Sequence, residues 1–144
     1  MAASPTPIDM LGGARVVGQK TSDPFRIIAK IRAGLPFKAL ESLSSTLRLS
    51  NDEAARIFMI PARTLARRKR SGRLSAEESD RVYRVARVLS YAAELLGSET
   101  EAAEWLRSPN VALGLAVPLN LLDTEAGIRQ VDEILARIEY GMYS

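Results

Sequence analysis

The pattern Ser-x-x-Glu occurs three times, at Ser50–Glu53, Ser75–Glu78 and Ser98–Glu101, each ahead of residues with helical apolar spacing. In such a capping box the hydroxyl accepts a bond from the third helical amide, and the carboxylate reaches back to the cap amide. Each box therefore fixes where a helix starts. Helices are predicted over about 51–58, 76–96 and 99–107, and Pro109 ends the last. The long helix carries Val82, Val85, Val88, Leu89, Ala92 and Leu96 as its apolar stripe. Two segments precede the first box. Ser22 is placed to cap a helix with Pro24 in its first turn and Phe25, Ile27, Ile28 and Ile31 on one face, stopped by Gly34. Pro36 opens the next, where Phe37, Leu40, Leu43 and Leu47 recur at helical spacing. A looser apolar stretch, VALGLAVPLNLL, covers 111–122. Thr124 then caps a final helix over about 125–139, with Ile128, Val131, Leu135 and Ile138 facing inward and Gly141 placed to end it. No segment alternates as a strand would. The expected fold is all-α. Residues 1–21 carry Pro, Gly and Ala with weak periodicity and are expected to be a flexible arm.

Composition removes several chemistries. There is no Cys and no His among the 144 residues. Disulfides, thiol nucleophiles, Cys/His zinc sites and His general bases are thereby excluded. The Asp and Glu residues show no spacing that marks a metal site or an acid–base pair, so neither an enzyme nor a cofactor is expected. No apolar run approaches the roughly 20 residues of a membrane helix, and the start MAASPTPIDML lacks the basic and apolar regions of a secretory signal. The expected location is the cytoplasm.

Charge is unevenly distributed. Residues 61–75 read PARTLARRKRSGRLS, with six Arg or Lys and no acidic residue anywhere between Glu53 and Glu77. From Arg48 to Ser90 there are eleven Lys and Arg against five Asp and Glu, a net of +6; from Pro109 to Ser144 there are two against five, a net of −3. The basic run follows a short capped helix and the turn Met59-Ile60-Pro61. That is helix-turn-helix spacing, in which the second helix enters the DNA major groove. Ala54, Phe58, Ile60 and Leu65 would pack the two helices together, with Ala55 small at their crossing. Arg63, Thr64, Arg67, Arg68, Lys69 and Arg70 are the candidate DNA-binding residues, suited to guanine edges or phosphates. Two positions depart from the usual motif. Met59 stands where a left-handed Gly is common, so either the residue is strained or the turn differs. Arg68 stands where an apolar side chain usually packs, so the helix is rotated or its stem snorkels.

The stretch IPARTLARRKRSGRLSAEESDRVYRVARVL resembles the Xre-type antitoxins paired with RES-domain toxins, the Xre/MbcA/ParS group. The residues that carry this are Arg63-Thr64-Leu65, Arg67-Arg68 and Glu78-Ser79-Asp80-Arg81. The C-terminal part is similar to the toxin-binding domain of the same group, through Trp105-Leu106, Pro109-Asn110, Pro118-Leu119-Asn120-Leu121-Leu122-Asp123-Thr124, Gly127 and Arg137-Ile138-Glu139-Tyr140-Gly141. The likeness covers roughly 25–144. Gly114-Leu115 departs from it, since a Gly-Gly pair is frequent there.

The resemblance implies a helix-turn-helix domain over 22–97 and a toxin-binding domain over 98–144. It implies a RES-domain toxin as partner, an NAD-consuming enzyme whose active-site entrance the C-terminal domain covers. It also implies promoter binding that represses the operon, and a homodimer fits the two half-sites that paired helix-turn-helix units read. The toxin-facing residues it points to are Pro118, Leu121, Leu122, Arg137, Glu139, Tyr140, Gly141, Met142, Tyr143 and Ser144. Independently, Tyr140, Met142 and Tyr143 past a helix end suit an interface, although they could instead close the protein's own core. A stand-alone helix-turn-helix regulator with a C-terminal oligomerisation domain remains the alternative at this stage. A RES-type reading frame beside this one would separate the two.

Overall fold

Residues 4–18 and 23–142 are described by the computed structural model. In chain order the helices are α1 (Pro7–Met10), α2 (Ala14–Val17), α3 (Pro24–Ala33), α4 (Phe37–Leu47), α5 (Asn51–Ile57), α6 (Ala62–Ser71), α7 (Ala76–Leu96), α8 (Glu99–Leu106) and α9 (Glu125–Met142). Two 3-10 turns, Val111–Leu113 and Pro118–Leu121, lie between α8 and α9. Among the described residues there is no strand; a single isolated bridge joins Pro36 and Arg73. The fold is all-α, as the sequence implies.

Caps account for most helix starts. The Ser50 and Ser75 hydroxyls accept from the amides of Glu53 and Glu78 at 3.1 Å each, and the two carboxylates return to the cap amides at 3.0 and 2.8 Å. The third box is half made: Ser98 Oγ accepts from Glu101 N at 3.1 Å, without the reciprocal bond that completes the others. Ser22 lies outside the described residues, and α3 is capped by Asp23, whose carboxylate accepts from Phe25 N at 3.0 Å.

Two expectations are corrected. The arm expected to be flexible over 1–21 is folded through 7–17. A box that sequence reading passed over, Thr6 with Asp9, starts α1, and Ile8, Met10, Leu11 and Val17 are all buried. Such short helices have little stability alone; packing against α7 and α4 holds them. The second correction concerns Gly141. It does not end α9, which runs to Met142. Glycine stops a helix by taking positive φ, and Gly141 is not among the positive-φ glycines.

α7 is the central element. Val82, Val85, Ala86, Val88, Leu89, Ala92 and Ala93 are all buried, a stripe wide enough to serve several partners. It packs against α1, α3, α4, α8 and α9. One continuous core results, joining Leu43, Leu47 and Phe58 of the N-terminal half to Leu106, Leu119 and Leu135 of the C-terminal half. The division expected at residue 97 falls at the end of a helix that packs on both halves.

Gly127 shows how closely the last helix is seated. A Cβ built there would collide with the carbonyl oxygen of Leu121. The helix can therefore lie on the second 3-10 turn only with glycine at this position. Gly127→Ala is expected to cost about 1–3 kcal/mol through overpacking. Gly141→Ala, helical with no neighbour within 4 Å of an added Cβ, is expected to be neutral or stabilising by up to about 1 kcal/mol. Thermal unfolding of the two variants against wild type checks both values.

Candidate nucleic-acid and partner interfaces

The α5–turn–α6 unit is built around four apolar side chains. Ala54, Phe58, Ile60 and Leu65 are all buried, as their spacing predicts. The turn closes through Met59 N to Arg56 O at 3.3 Å and Ile60 N to Ala55 O at 3.0 Å. Met59 adopts φ 53°, the left-handed conformation, with its side chain exposed. The turn thus keeps its usual shape and Met59 carries the strain. Its carbonyls are held from outside the motif: Arg81 Nη1 donates to Met59 O at 3.1 Å and Phe58 O at 3.4 Å.

Helical spacing gives α6 three faces. Ala62, Leu65, Ala66 and Lys69 line a groove of about 460 Å³ shared with α4 and α5. Arg63, Arg67 and Arg70 are exposed and lie one to two turns apart on the outer face. Thr64 and Arg68 are half-buried. Arg68 does not point outward with the other arginines. Its Nε donates to Glu78 Oε1 at 2.8 Å, which is how a cation occupies a position normally apolar. Among the described residues no ion pair engages Arg63, Arg67, Lys69 or Arg70. These four and half-buried Thr64 are the sequence candidates left available to a nucleic acid. Lys69 reaches solvent on the groove side.

The Glu78-Ser79-Asp80-Arg81 motif proves to be the mount for this helix. Glu78 accepts from the Ser75 amide at 2.8 Å as well as from Arg68. Ser79 Oγ accepts from Leu35 N at 2.7 Å and donates to Ser75 O at 2.7 Å. Asp80 pairs with Arg84 at 2.8 Å. Sequence reading found the cap role of Glu78. The contacts to Arg68, Leu35 and the turn join separate elements and left no local signal.

The C-terminal site residues divide by burial. Pro118 and Leu122 are buried, and Leu121 packs against the core. These residues buttress α9 from within. Thr124 Oγ1 accepts from Gly127 N at 2.9 Å, the predicted cap. Arg137 is exposed, Tyr140 is 80% exposed and Met142 59%. Tyr140 does not close the protein's own core. Glu139 is half-buried beside Tyr91; burial, then the bond and charge of Glu139, push the Tyr91 hydroxyl up. Tyr143 and Ser144 lie outside the described residues.

The basic middle and the acidic end partly neutralise each other. Arg87 grips Asp132 through two bonds of 3.2 and 2.7 Å, and Arg84 meets Glu125 at 3.3 Å. Arg107 pairs with Glu53 at 3.1 Å and donates to Leu47 O at 3.2 Å.

Burial pushes the Glu78 carboxyl up, but the Ser75 amide and the Arg68 guanidinium outweigh it and hold the carboxyl below its usual range. A depressed carboxylate contributes stability above its unfolded pKa and loses it as pH falls through the folded value. Glu78→Gln is therefore expected to cost about 1–2 kcal/mol at pH 7, allowing for the part-exposed Arg68. That margin should shrink as pH falls below the ordinary carboxylate range, where the lowered wild-type carboxyl finally takes up its proton. Melting temperatures of both proteins from pH 7 to pH 3 check this.

Residues 26–87 match the antitoxin Xre-like helix-turn-helix domain. Residues 92–141 match the antitoxin Xre/MbcA/ParS C-terminal toxin-binding domain. The chain is 33% identical to Antitoxin Xre of Photorhabdus laumondii over 132 residues, 90% of this chain and 89% of that one. It is 33% identical to Antitoxin Xre of Pseudomonas putida over 118 residues, covering 81% and 73%. It is also 34% identical to the Prs ADP-ribosylating antitoxin of Sphingobium sp. over 80 residues, covering 49% and 50%. With both domains matched in order, and a relative of this identity aligned along nearly its whole length, the chain belongs to the Xre family of antitoxins.

Proposed function

We propose that the protein neutralises a cognate RES-domain, NAD-consuming toxin by covering its active site with the end of α9, and represses its own operon as a dimer reading DNA through α6. The observation that carries the reading is a pair of exposed surfaces, one cationic and one aromatic, on different helices. One is the cationic face of Arg63, Arg67 and Arg70. The other is the exposed Tyr140 and Met142 on the last turn of a helix whose base is fixed by Gly127 and Asp132.

Arg63, Thr64 and Arg67 occupy the N-terminal part of α6, which in this motif faces base edges. Arg70 and Lys69 serve phosphates. Arg68 acts through Glu78 as a positioning residue that sets the rotation of the helix. A dimer follows from the need to read two half-sites one helical turn apart. A DNA partner places the protein in the cytoplasm, and among the described residues no helix is long and apolar enough to cross a membrane.

At the other end, α9 is a rigid stem. Its last two turns carry Arg137, Tyr140, Gly141 and Met142, and Tyr143 and Ser144 follow in sequence. Aromatic, Met and Arg side chains are those enriched at interface centres. The name of the Sphingobium relative ties that antitoxin to ADP-ribosylation, which supports a partner that uses NAD. The antitoxin itself supplies no reacting group in this reading. The DNA role is assigned to 22–97 and the toxin role to 98–144, with α7 as their shared frame.

Two outcomes are expected. Arg63→Ala/Arg67→Ala should lose about 1–3 kcal/mol of operator affinity for each base contact removed, while neutralising toxin normally; footprinting on the promoter and survival under toxin expression read the two. Unchanged protection by the double variant would remove α6 as the reading helix. Removing residues 140–144 should leave a complex that co-purifies but regains NAD turnover. A truncated complex that stays inactive would assign the block to the body of α9.

A further inference from the structure

The segment from Asn110 to Ala116 is an apolar loop held rigidly in the open. Asn110 Oδ1 accepts from Ala112 N at 2.9 Å. Asn110 O accepts from Leu113 N at 3.0 Å and from Leu115 N at 2.8 Å, and Asn110 N donates to Ala116 O at 3.0 Å. Further bonds run from Gly114 N to Val111 O at 3.0 Å and from Ala116 N to Leu113 O at 3.2 Å. The loop displays Val111, 85% exposed, and Leu115, 66% exposed. Leu115 also sits at φ 73°, next to Gly114 at φ 64°.

Neither folding nor solvation explains these two side chains. Leaving them in water forfeits the burial that apolar surface favours. The left-handed conformation is unfavourable for a residue with a branched side chain. A strained conformation persists where its surroundings over-determine it, and such sites concentrate at ligand contacts. Here the bonds to Asn110 and Ala116 do so, holding two aliphatic groups in place before any partner arrives. Pre-organisation of this kind reduces the ordering cost of binding.

We propose that Val111 and Leu115 form a second, pre-organised anchor that enters an apolar recess on the cognate toxin, in addition to the surface at the end of α9. The inference rests on the toxin-binding assignment of this half, since the loop lies inside the matched residues 92–141. Three observations select this occupant. The neighbouring apolar motif cannot serve, because Pro118, Leu119 and Leu122 are buried. Tyr140 and Met142 alone offer too little area for a stable interface, which needs about 1,000 Å² or more. No residue from 110 to 122 is charged, so the complementary surface is apolar rather than a nucleic acid or an ion site.

The test measures binding of full-length antitoxin variants to a catalytically inactive form of the cognate toxin, with melting temperature and sedimentation recorded alongside. Leu115→Gly relieves the left-handed strain, so its melting temperature should hold or rise. Its toxin affinity should nevertheless fall about 10-fold, the effect of one lost buried aliphatic group. Val111→Asp should weaken binding at least as much, with operator affinity unchanged. Opposite movements of stability and affinity in Leu115→Gly separate a contact from a folding role. If both variants bind toxin as wild type does while removal of residues 140–144 restores NAD turnover in the complex, the loop inference is overturned and the toxin-binding reading stands. If wild type itself does not bind the toxin, both fall. If toxin affinity is unchanged and Val111→Asp instead dissociates a wild-type dimer, the loop belongs to a second copy of this chain and the proposal is overturned.

Discussion

The Glu78 carboxylate lies where three parts of the molecule meet. It caps the start of α7 through the Ser75 amide and holds α6 through Arg68. The next residue, Ser79, ties in the chain leaving α3 through Leu35 N. A carboxylate this buried is costly unless its lone pairs are occupied, and here charge-assisted and backbone donors occupy them. Removing one donor would leave part of that cost uncompensated. The orientation of α6 therefore depends on a helix outside the helix-turn-helix unit. Arg81 extends the dependence by donating to the two carbonyls of the turn. A motif whose sequence shows only a helix cap thus works as the seat of α6.

The same helix carries the other half. Arg84 and Arg87 turn from the basic middle of the sequence to Glu125 and Asp132 on α9. The electrical division of the chain is therefore partly a set of complementary pairs, whereas among the described residues Arg63, Arg67, Lys69 and Arg70 of α6 enter no ion pair. Arg84 and Arg87 are more than one-third exposed, so the pairs align the helices more than they stabilise them. Apolar packing of Ile128, Val131 and Leu135 does most of the holding. A fragment lacking the first hundred residues would lose α7 and with it the surface on which α9 rests. On the proposed reading, point substitution on α6 or at the end of α9 should separate the two functions, and cutting the chain should not.

Sequence carried the helices whose boundaries are local. Ser50 and Ser75 with their glutamates placed α5 and α7, and apolar spacing placed Phe58, Ile60 and Leu65 in the turn's core. It failed where the deciding partner is distant. Arg68 stands out in sequence as a cation at an apolar position, but its partner does not, because Glu78 lies ten residues on in another helix. Pro118 to Leu122 reads equally as partner surface or as buttress, because an apolar turn looks the same whether it covers a neighbour or its own core. Ile8 and Met10 have a partner only once α7 is in place, so the first turns read as a flexible arm. Gly141 reads as a stop, since sequence does not disclose whether a glycine uses its freedom. Leu115 carries in sequence only the hint that a Gly is frequent at its position; the left-handed geometry itself is a property of the folded loop.

The central claim is that one packed body presents two distinct surfaces, α6 for DNA and the end of α9 for toxin. Amide hydrogen exchange on the full chain, alone and with each partner in turn, tests it most directly. The account predicts that operator DNA slows exchange in residues 62–71 and leaves 137–142 unchanged, and that toxin does the reverse. Slowed exchange across 62–71 on adding toxin, with none at 137–142, would contradict it.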